Sequence, residues 1–206
     1  MKFLQEQFKQ ILLTMMLMLI VGVAVAQVKG NMSHQLKGFS KATAKANVEF
    51  TLPAGFKEIT APENEDFSFN YAMEIPGKEF EIWFQVKSQK DNIANYSHNQ
   101  NIPLANPDSL YSYIGEANAL AFTGDKKYFS RIIPPQILSR YNADAGKSYL
   151  LTLLDMPVTK HYKYALLITL QKNHAGTIMA FCLTNLKGPE FFKNISGADG
   201  CIKFKP

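Results

Sequence analysis

The sequence predicts an α+β domain in which helices cover both faces of a mainly antiparallel sheet of about six to seven strands. Apolar and polar residues alternate in short segments that are separated by turn residues, as in antiparallel strands. One longer segment repeats apolar residues at helical spacing. The segment KYALLITLQKNHAGTIMAFCLT is typical of a hairpin with two apolar faces, and such a hairpin must be covered on both sides.

The first 26 residues have the layout of a secretory signal peptide. Two lysines precede an apolar run of 16 residues, 11–26, and its small-residue end predicts cleavage between Ala26 and Gln27. A permanent membrane anchor is the alternative, but a spanning helix usually needs about 20 apolar residues. We therefore expect a secreted or periplasmic protein after cleavage.

The following segment, residues 27–47, contains four lysines and no acid. Loss of two lysines and one glutamate with the leader changes the formal net charge from +5 to +4. We expect a flexible basic lead-in to a single α+β domain of residues 48–206, because the lead-in is too polar to bury enough surface. Its charge favours weak contact with an anionic membrane surface, whereas spread lysines do not predict nucleic-acid binding.

The start of the domain predicts an aromatic hairpin. A strand at residues 48–52 stops at a Pro-Ala-Gly turn, and two alternating segments then flank Pro76-Gly77. One face of this hairpin is predicted to carry Phe67, Phe69, Tyr71, Met73, Ile75, Phe80, Ile82, Phe84 and Val86. The opposite face is polar except for Trp83, which is flanked there by Glu81 and Gln85.

A helix is predicted between Asn106 and Gly124. Asn106 is the expected N-cap, Pro107 the first helical residue, and Gly124 the C-terminal stop. The helical spacing predicts a buried stripe of Leu110, Tyr113, Ile114, Ala117, Leu120 and Ala121. Further along we predict a strand at 128–133, a short helix after Pro134, a strand at 148–155 and a last helix at 188–195.

The apolar hairpin contains His161, His174 and Cys182, which could form a metal or nucleophile site. A turn at residues 171–176 sets Cys182 opposite Ala165. At about 3.3 Å per residue the histidines lie about 30 Å apart, and Cys182 lies about 13 Å from His161. Zinc ligands and Cys-His pairs require contact. We therefore predict a core hairpin without catalytic or metal-binding residues.

Cys182 and Cys201 are the two cysteines of the chain. Disulfides persist outside the cytoplasm, and a bridge between these residues would contribute roughly 3 kcal/mol by closing a loop of about 20 residues. Buried free thiols are the alternative. The 18 intervening residues exclude a CxxC redox pair.

Motifs for other chemistry are absent from the sequence: there is no GxSxG, HExxH, GxxxxGK[ST] or GxGxxG. Acids cluster at residues 58–66 and at Glu79 and Glu81, and we interpret them as solvated surface charges. We accordingly predict no cofactor.

The order of elements resembles a known layout. The phrases LPAGF, NADAG, KYALLITLQKN and CIKF fall within residues 48–204, in an arrangement similar to small secreted bacterial proteins of unknown function. That arrangement in turn resembles the α/β/α sandwich of the PsbP family, the lumenal extrinsic subunits of photosystem II, and of a small Ran-binding nuclear import factor. The resemblance implies a non-catalytic accessory or binding module, and it carries over no site residue.

Two classes of function stay open. The first is a periplasmic accessory or binding protein that recognises an envelope protein or small ligand as a monomer or weak oligomer. Trp83, Glu81 and Gln85 are the candidate binding face, because tryptophan is enriched in binding hot spots, although a helix could instead cover Trp83. The second is a small hydrolase-like enzyme with a site assembled from distant residues. A deep polar pocket would indicate the enzyme, and an apolar groove the binding protein.

Overall fold

A seven-stranded antiparallel sheet forms the centre of the fold, and a separate two-stranded sheet packs against it. The structure is a computed structural model that describes residues 32–63, 67–98, 105–124 and 128–206, of which residues 35–206 form one unit. The predicted signal peptide and its cleavage site at Ala26 and Gln27 lie outside the described residues. Within the described ranges, no helix combines the length and the apolar character that membrane crossing requires.

The helices are α1 (His34–Lys45), α2 (Lys90–His98), α3 (Leu110–Thr123), α4 (Pro135–Leu138) and α5 (Pro189–Ser196). The strands are β1 (Val48–Phe50), β2 (Lys57–Ile59), β3 (Tyr71–Glu74), β4 (Phe80–Ser88), β5 (Tyr128–Ile132), β6 (Ala145–Thr152), β7 (Tyr164–Lys172), β8 (Gly176–Thr184) and β9 (Ile202–Phe204). The large sheet has the order β2-β3-β4-β8-β7-β6-β5, and β1 pairs with β9. The predicted α+β class and its mainly antiparallel sheet are therefore confirmed.

The central hairpin of β7 and β8 divides the core into two layers. Cys182 of β8 pairs with Leu166 of β7 and with Ile82 of β4 on one face of the sheet, which we name the Cys182 face. Leu167 pairs with Phe181 on the other, the Trp83 face, where Phe181 lies opposite Trp83. Both faces are lined by buried apolar side chains, in agreement with the predicted two-sided covering.

Each face has its own cover. On the Cys182 face, Phe39 of α1 stacks on Tyr71 with ring centroids 5.0 Å apart, and Phe191 of α5 contacts Phe80 at 6.1 Å. On the Trp83 face, Phe122 of α3 stacks on Phe181 at 4.5 Å. The layers are thus helix, sheet and helix, as the sequence predicts.

The predicted flexible lead-in is wrong for its C-terminal half. Helix α1 occupies His34–Lys45, and Phe39 and Ala46 are fully buried in the core of the Cys182 face. The segment orders because one aromatic anchor packs on the aromatic side chains of β3 and β4. The globular unit consequently begins before residue 48.

Asn106 and Gly124 cap this helical segment as predicted, but its first turn, Pro107–Ser109, is a 3-10 helix, α3 itself begins at Leu110, and the buried stripe is different. Asn106 Oδ1 accepts a hydrogen bond from the Asp108 amide, and the Gly124 amide donates to Leu120 O in a left-handed cap. The residues that face the core are Gly115, Ala119, Phe122 and Thr123. The predicted Tyr113 and Leu120 are exposed, because close approach of the helix to the sheet requires small residues, and a Cβ on Gly115 would lie 2.5 Å from the Tyr149 ring.

Two strand predictions also change. Cys182 lies opposite Leu166 instead of Ala165, so the hairpin register differs by one residue and the predicted grouping of its side chains by face is wrong. In the aromatic hairpin, Tyr71 and Met73 share a face with Phe84 and Ile82 as predicted. Phe67 and Phe69 pack instead on the Trp83 side, because β3 starts only at Tyr71.

Candidate functional site

An uncovered apolar groove lies on the Cys182 face, beside the strands β5, β6 and β7. Helix α5 borders it and does not fill it, so that Phe129, Leu150 and Phe192 are 69%, 45% and 52% exposed. The groove has a volume of about 360 Å³. We call it the α5 groove. It is lined by Tyr128, Phe129, Leu150, Leu151, Thr152, Tyr164, Lys187, Gly188, Phe191 and Phe192.

The strands explain why these side chains meet. Phe129 pairs with Leu150, and Leu150 pairs with Leu166, which lies next to Cys182 on β8. Alternation along each strand therefore points one side chain in two toward the groove. Adjacent Phe191 and Phe192 lie about 100° apart on α5, so that Phe191 enters the core and Phe192 faces the groove.

The ammonium group of Lys187 lies at the margin of the groove. Lys187 Nζ lies 4.2 Å from the centroid of the Tyr164 ring, a cation–π contact. Among the described residues that line the groove, Lys187 is the single charged one. The nearby Glu190 bonds Lys78 at 3.0 Å. An apolar surface with one cation at its margin suits a molecule that has an apolar body and an anionic group.

The candidate binding face at Trp83 is not an exposed surface. Trp83 is fully buried, and Phe69 and Phe181 pack against its ring at 5.2 and 5.7 Å. Gln85 is half-buried and its side-chain amide donates to Ser68 O. The alternative from the sequence was a helix over Trp83; the side chain is covered, and the two rings against it come from the segment before β3 and from β8.

Glu81 is the centre of a buried polar cluster and not a solvated charge. Its carboxylate accepts hydrogen bonds from Trp83 Nε1 at 2.7 Å and from Lys160 Nζ at 2.8 and 2.9 Å. The Tyr162 hydroxyl donates weakly at 3.4 Å, and burial, followed by the negative charge of Glu81, raises the pKa of Tyr162. The Glu81 carboxylate thus makes its hydrogen bonds within the protein, and we interpret the cluster as a structural element that stabilises the fold.

Of the two alternatives for the cysteines, the structure has the buried free thiols and not the disulfide, although the fold brings both residues to one cavity. Cys182 and Cys201 are buried free thiols that line a space of about 50 Å³ beneath α5. Burial raises the pKa of Cys182 well above its ordinary range and that of Cys201 to about 12. Protonated thiols are poor nucleophiles, and the cavity has room for little more than water.

The histidines of the hairpin do not share a site with Cys182. His161 Nδ1 lies 2.5 Å from Asp155 Oδ1, and both side chains are exposed. His174 occupies the hairpin turn, where its amide donates to Asp108. Among the described residues, no group of three or more His, Cys, Asp or Glu side chains could hold a metal ion.

Comparison with known proteins adds no assignment: no family model matches the chain, and no curated protein sequence matches it. The groove must therefore be interpreted from its own residues.

The α5 groove is not evident from the sequence. The exposure of Phe129, Leu150 and Phe192 could not be recognised, because each lies in a segment that also supplies core residues. One signal was present: two consecutive phenylalanines on a helix with a single buried stripe cannot both face the core, so one of them must be exposed.

Proposed function

We propose that the protein is an exported binding protein of the cell envelope that holds an amphiphilic molecule in the α5 groove. The apolar body of the ligand contacts Phe129, Leu150 and Phe192, and its anionic group lies near Lys187. The observation that carries this proposal is the open apolar groove with the Lys187 ammonium at its margin. Export and the envelope location follow from the predicted signal peptide.

The size and composition of the groove support this class of ligand. Small-molecule sites are concave, about 300–1,000 Å³ in volume, and mainly apolar with a few polar groups that orient the ligand. The α5 groove has about 360 Å³ and offers Lys187, Thr152 and Tyr164 as polar groups. The resemblance to non-catalytic accessory proteins favours binding over catalysis in the same way.

Titration calorimetry with dodecanoate, below its micelle concentration, tests the proposal. We expect saturable binding with a negative heat-capacity change, because apolar surface is removed from water. Dodecyltrimethylammonium has the same chain and the opposite charge, and it should bind several-fold more weakly. Equal affinity for the two amphiphiles would contradict the role given to Lys187, and absence of dodecanoate binding would contradict the proposal.

Two leucines of β6 and the following loop provide a matched pair of variants. Leu150 lines the groove and is 45% exposed, whereas Leu154 is 43% exposed and does not line it. Leu150→Glu should reduce dodecanoate affinity at least about tenfold, a difference of about 1.4 kcal/mol, because it introduces a negative charge beside the apolar chain. Leu154→Glu should leave the affinity unchanged. Equal effects would mean that the ligand binds elsewhere.

A further inference from the structure

The two outer edges of the large sheet are protected to different degrees. Strand β2 is three residues long and carries Lys57 and Glu58, which is the usual protection against pairing with another chain. Strand β5 is five residues long, and Phe129 and Ile132 on it are 69% and 73% exposed. No described strand pairs with the outer side of β5. This edge is therefore a ready template for a further strand.

Backbone alternation fixes which groups of β5 point outward. The Ile133 amide donates to Gly146 O across the β5–β6 ladder, so the backbone groups of Arg131 and Phe129, two and four residues earlier, also face β6. The amides and carbonyls of Tyr128, Ser130 and Ile132 therefore point away from the sheet. Pro134 ends this row of groups, because proline has no amide to donate.

These outward backbone groups of β5 are complementary to those of β5 in a second copy of the chain. An antiparallel pair centred on Ser130 sets Tyr128 opposite Ile132 and pairs the outward residues with one another, with about six hydrogen bonds between the backbones. On the Cys182 face it sets Phe129 opposite Arg131 of the second copy, at the closer non-hydrogen-bonded spacing. A cation then lies against an exposed aromatic ring, and no like charges meet.

We propose that two copies of this chain pair through β5 across a twofold axis at Ser130, forming one continuous sheet of both subunits. The occupant of the edge is a second copy because the residue pairs of this register are complementary in backbone, aromatic and charged groups. The contact involves five residues of each chain and is small, so the dimer is weak and forms at high protein concentration. It brings Arg131 of the second copy to the Phe129 margin of the α5 groove.

Sedimentation equilibrium on the purified protein, over a concentration series up to about 500 µM, tests the pairing. We expect a monomer–dimer equilibrium. Ser130→Pro removes the outward amide at the axis while leaving the β5–β6 ladder bonds in place, and it should weaken the dimer at least about tenfold. Ser130→Thr keeps the amide and should retain the dimer. A monomer at every concentration, or equal association of Ser130→Pro and Ser130→Thr, overturns the proposal.

Residue-resolved amide exchange of the unmodified protein gives a second test that does not depend on the folding of a variant. The amides of Ser130 and Ile132 should exchange more slowly as protein concentration rises, because they become hydrogen-bonded only in the dimer. The amides of Phe129 and Arg131 already face β6 and should not respond in the same way. Concentration-independent exchange at Ser130 and Ile132 overturns the proposal.

Discussion

Replacement of Lys160 by methionine tests whether the buried cluster around Glu81 stabilises the fold. Lys160 Nζ bonds both oxygens of the Glu81 carboxylate, whose side chain is 6% exposed. Methionine keeps the apolar stem and removes the charge. Lys160 has a left-handed backbone with φ of 50°, and methionine has the same Cβ, so the backbone strain is similar in both proteins.

The expected magnitude lies between two limits. Removal of one partner from a fully buried pair costs about 3–5 kcal/mol, whereas exposed pairs contribute about 0.2–1 kcal/mol. Glu81 is buried, but the Lys160 side chain is 48% exposed and water reaches the ammonium group. The Trp83 Nε1–H bond to the carboxylate also persists. We therefore expect a loss of about 2 kcal/mol, or about 4–8 °C in Tm.

Urea denaturation of the unmodified protein, Lys160→Met, Glu81→Gln and the double variant measures the interaction between Lys160 and Glu81 directly. Glu81→Gln removes the negative charge and keeps an acceptor for Trp83, so Lys160→Met should cost at least about 1 kcal/mol less in the Glu81→Gln background than in the unmodified protein. Lys45→Met is the control, because Lys45 bonds Asp91 at the same 2.8 Å with both side chains exposed. It should cost clearly less than Lys160→Met, because water screens the exposed pair. If Lys160→Met costs no more than Lys45→Met, or costs the same in both backgrounds, the structural role of the cluster is refuted.

Gly115→Ala should destabilise the protein by about 1–2 kcal/mol in urea denaturation, because a Cβ would lie 2.5 Å from the buried Tyr149 ring and overpacking outweighs the gain of about 1 kcal/mol in helix propensity. Gly38→Ala in α1 meets nothing within 4 Å and should stabilise it. The buried Cys201 thiol has a pKa raised from 9.0 to about 12, so the native state keeps a proton that the unfolded chain loses. Stability should therefore fall as pH rises from 9 toward 12, and Cys201→Ala should reduce this slope; an unchanged slope would contradict the assignment.

The features that were predicted correctly depend on local chemistry. Asn106 caps the 3-10 turn that leads into α3, and Gly124 ends α3, because capping hydrogen bonds involve residues a few positions apart. The antiparallel order of the central strands follows from the short turn between two apolar runs. Such signals need no knowledge of what packs against the element.

The predictions that failed depend on packing partners. The β7–β8 turn differs by one residue from the predicted turn, and His174 adopts φ of 59° there, which the residue types alone did not indicate. A shift of one residue exchanges the two faces of a strand, so Cys182 joins Leu166. Helix α1 was missed because its order comes from Phe39, which stacks on Tyr71 far along the chain. The groove was missed for the same reason, because the exposure of Phe129 and Leu150 depends on how far α5 extends over the sheet.

The groove and the free edge have a common physical origin. The strands β5 and β6 carry apolar residues on the Cys182 face, but α1 and α5 cover that face over other strands, so Phe129 and Leu150 are left exposed. Exposed apolar surface of this kind favours an external partner. A ligand would contact the exposed side chains of the groove, whereas a second copy would pair with the outward backbone groups of β5. Leu150→Glu should therefore weaken dodecanoate binding without removing the β5 amides, and Ser130→Pro should weaken the dimer without changing the groove lining. Loss of both properties in both variants would show that ligand binding and pairing use one surface.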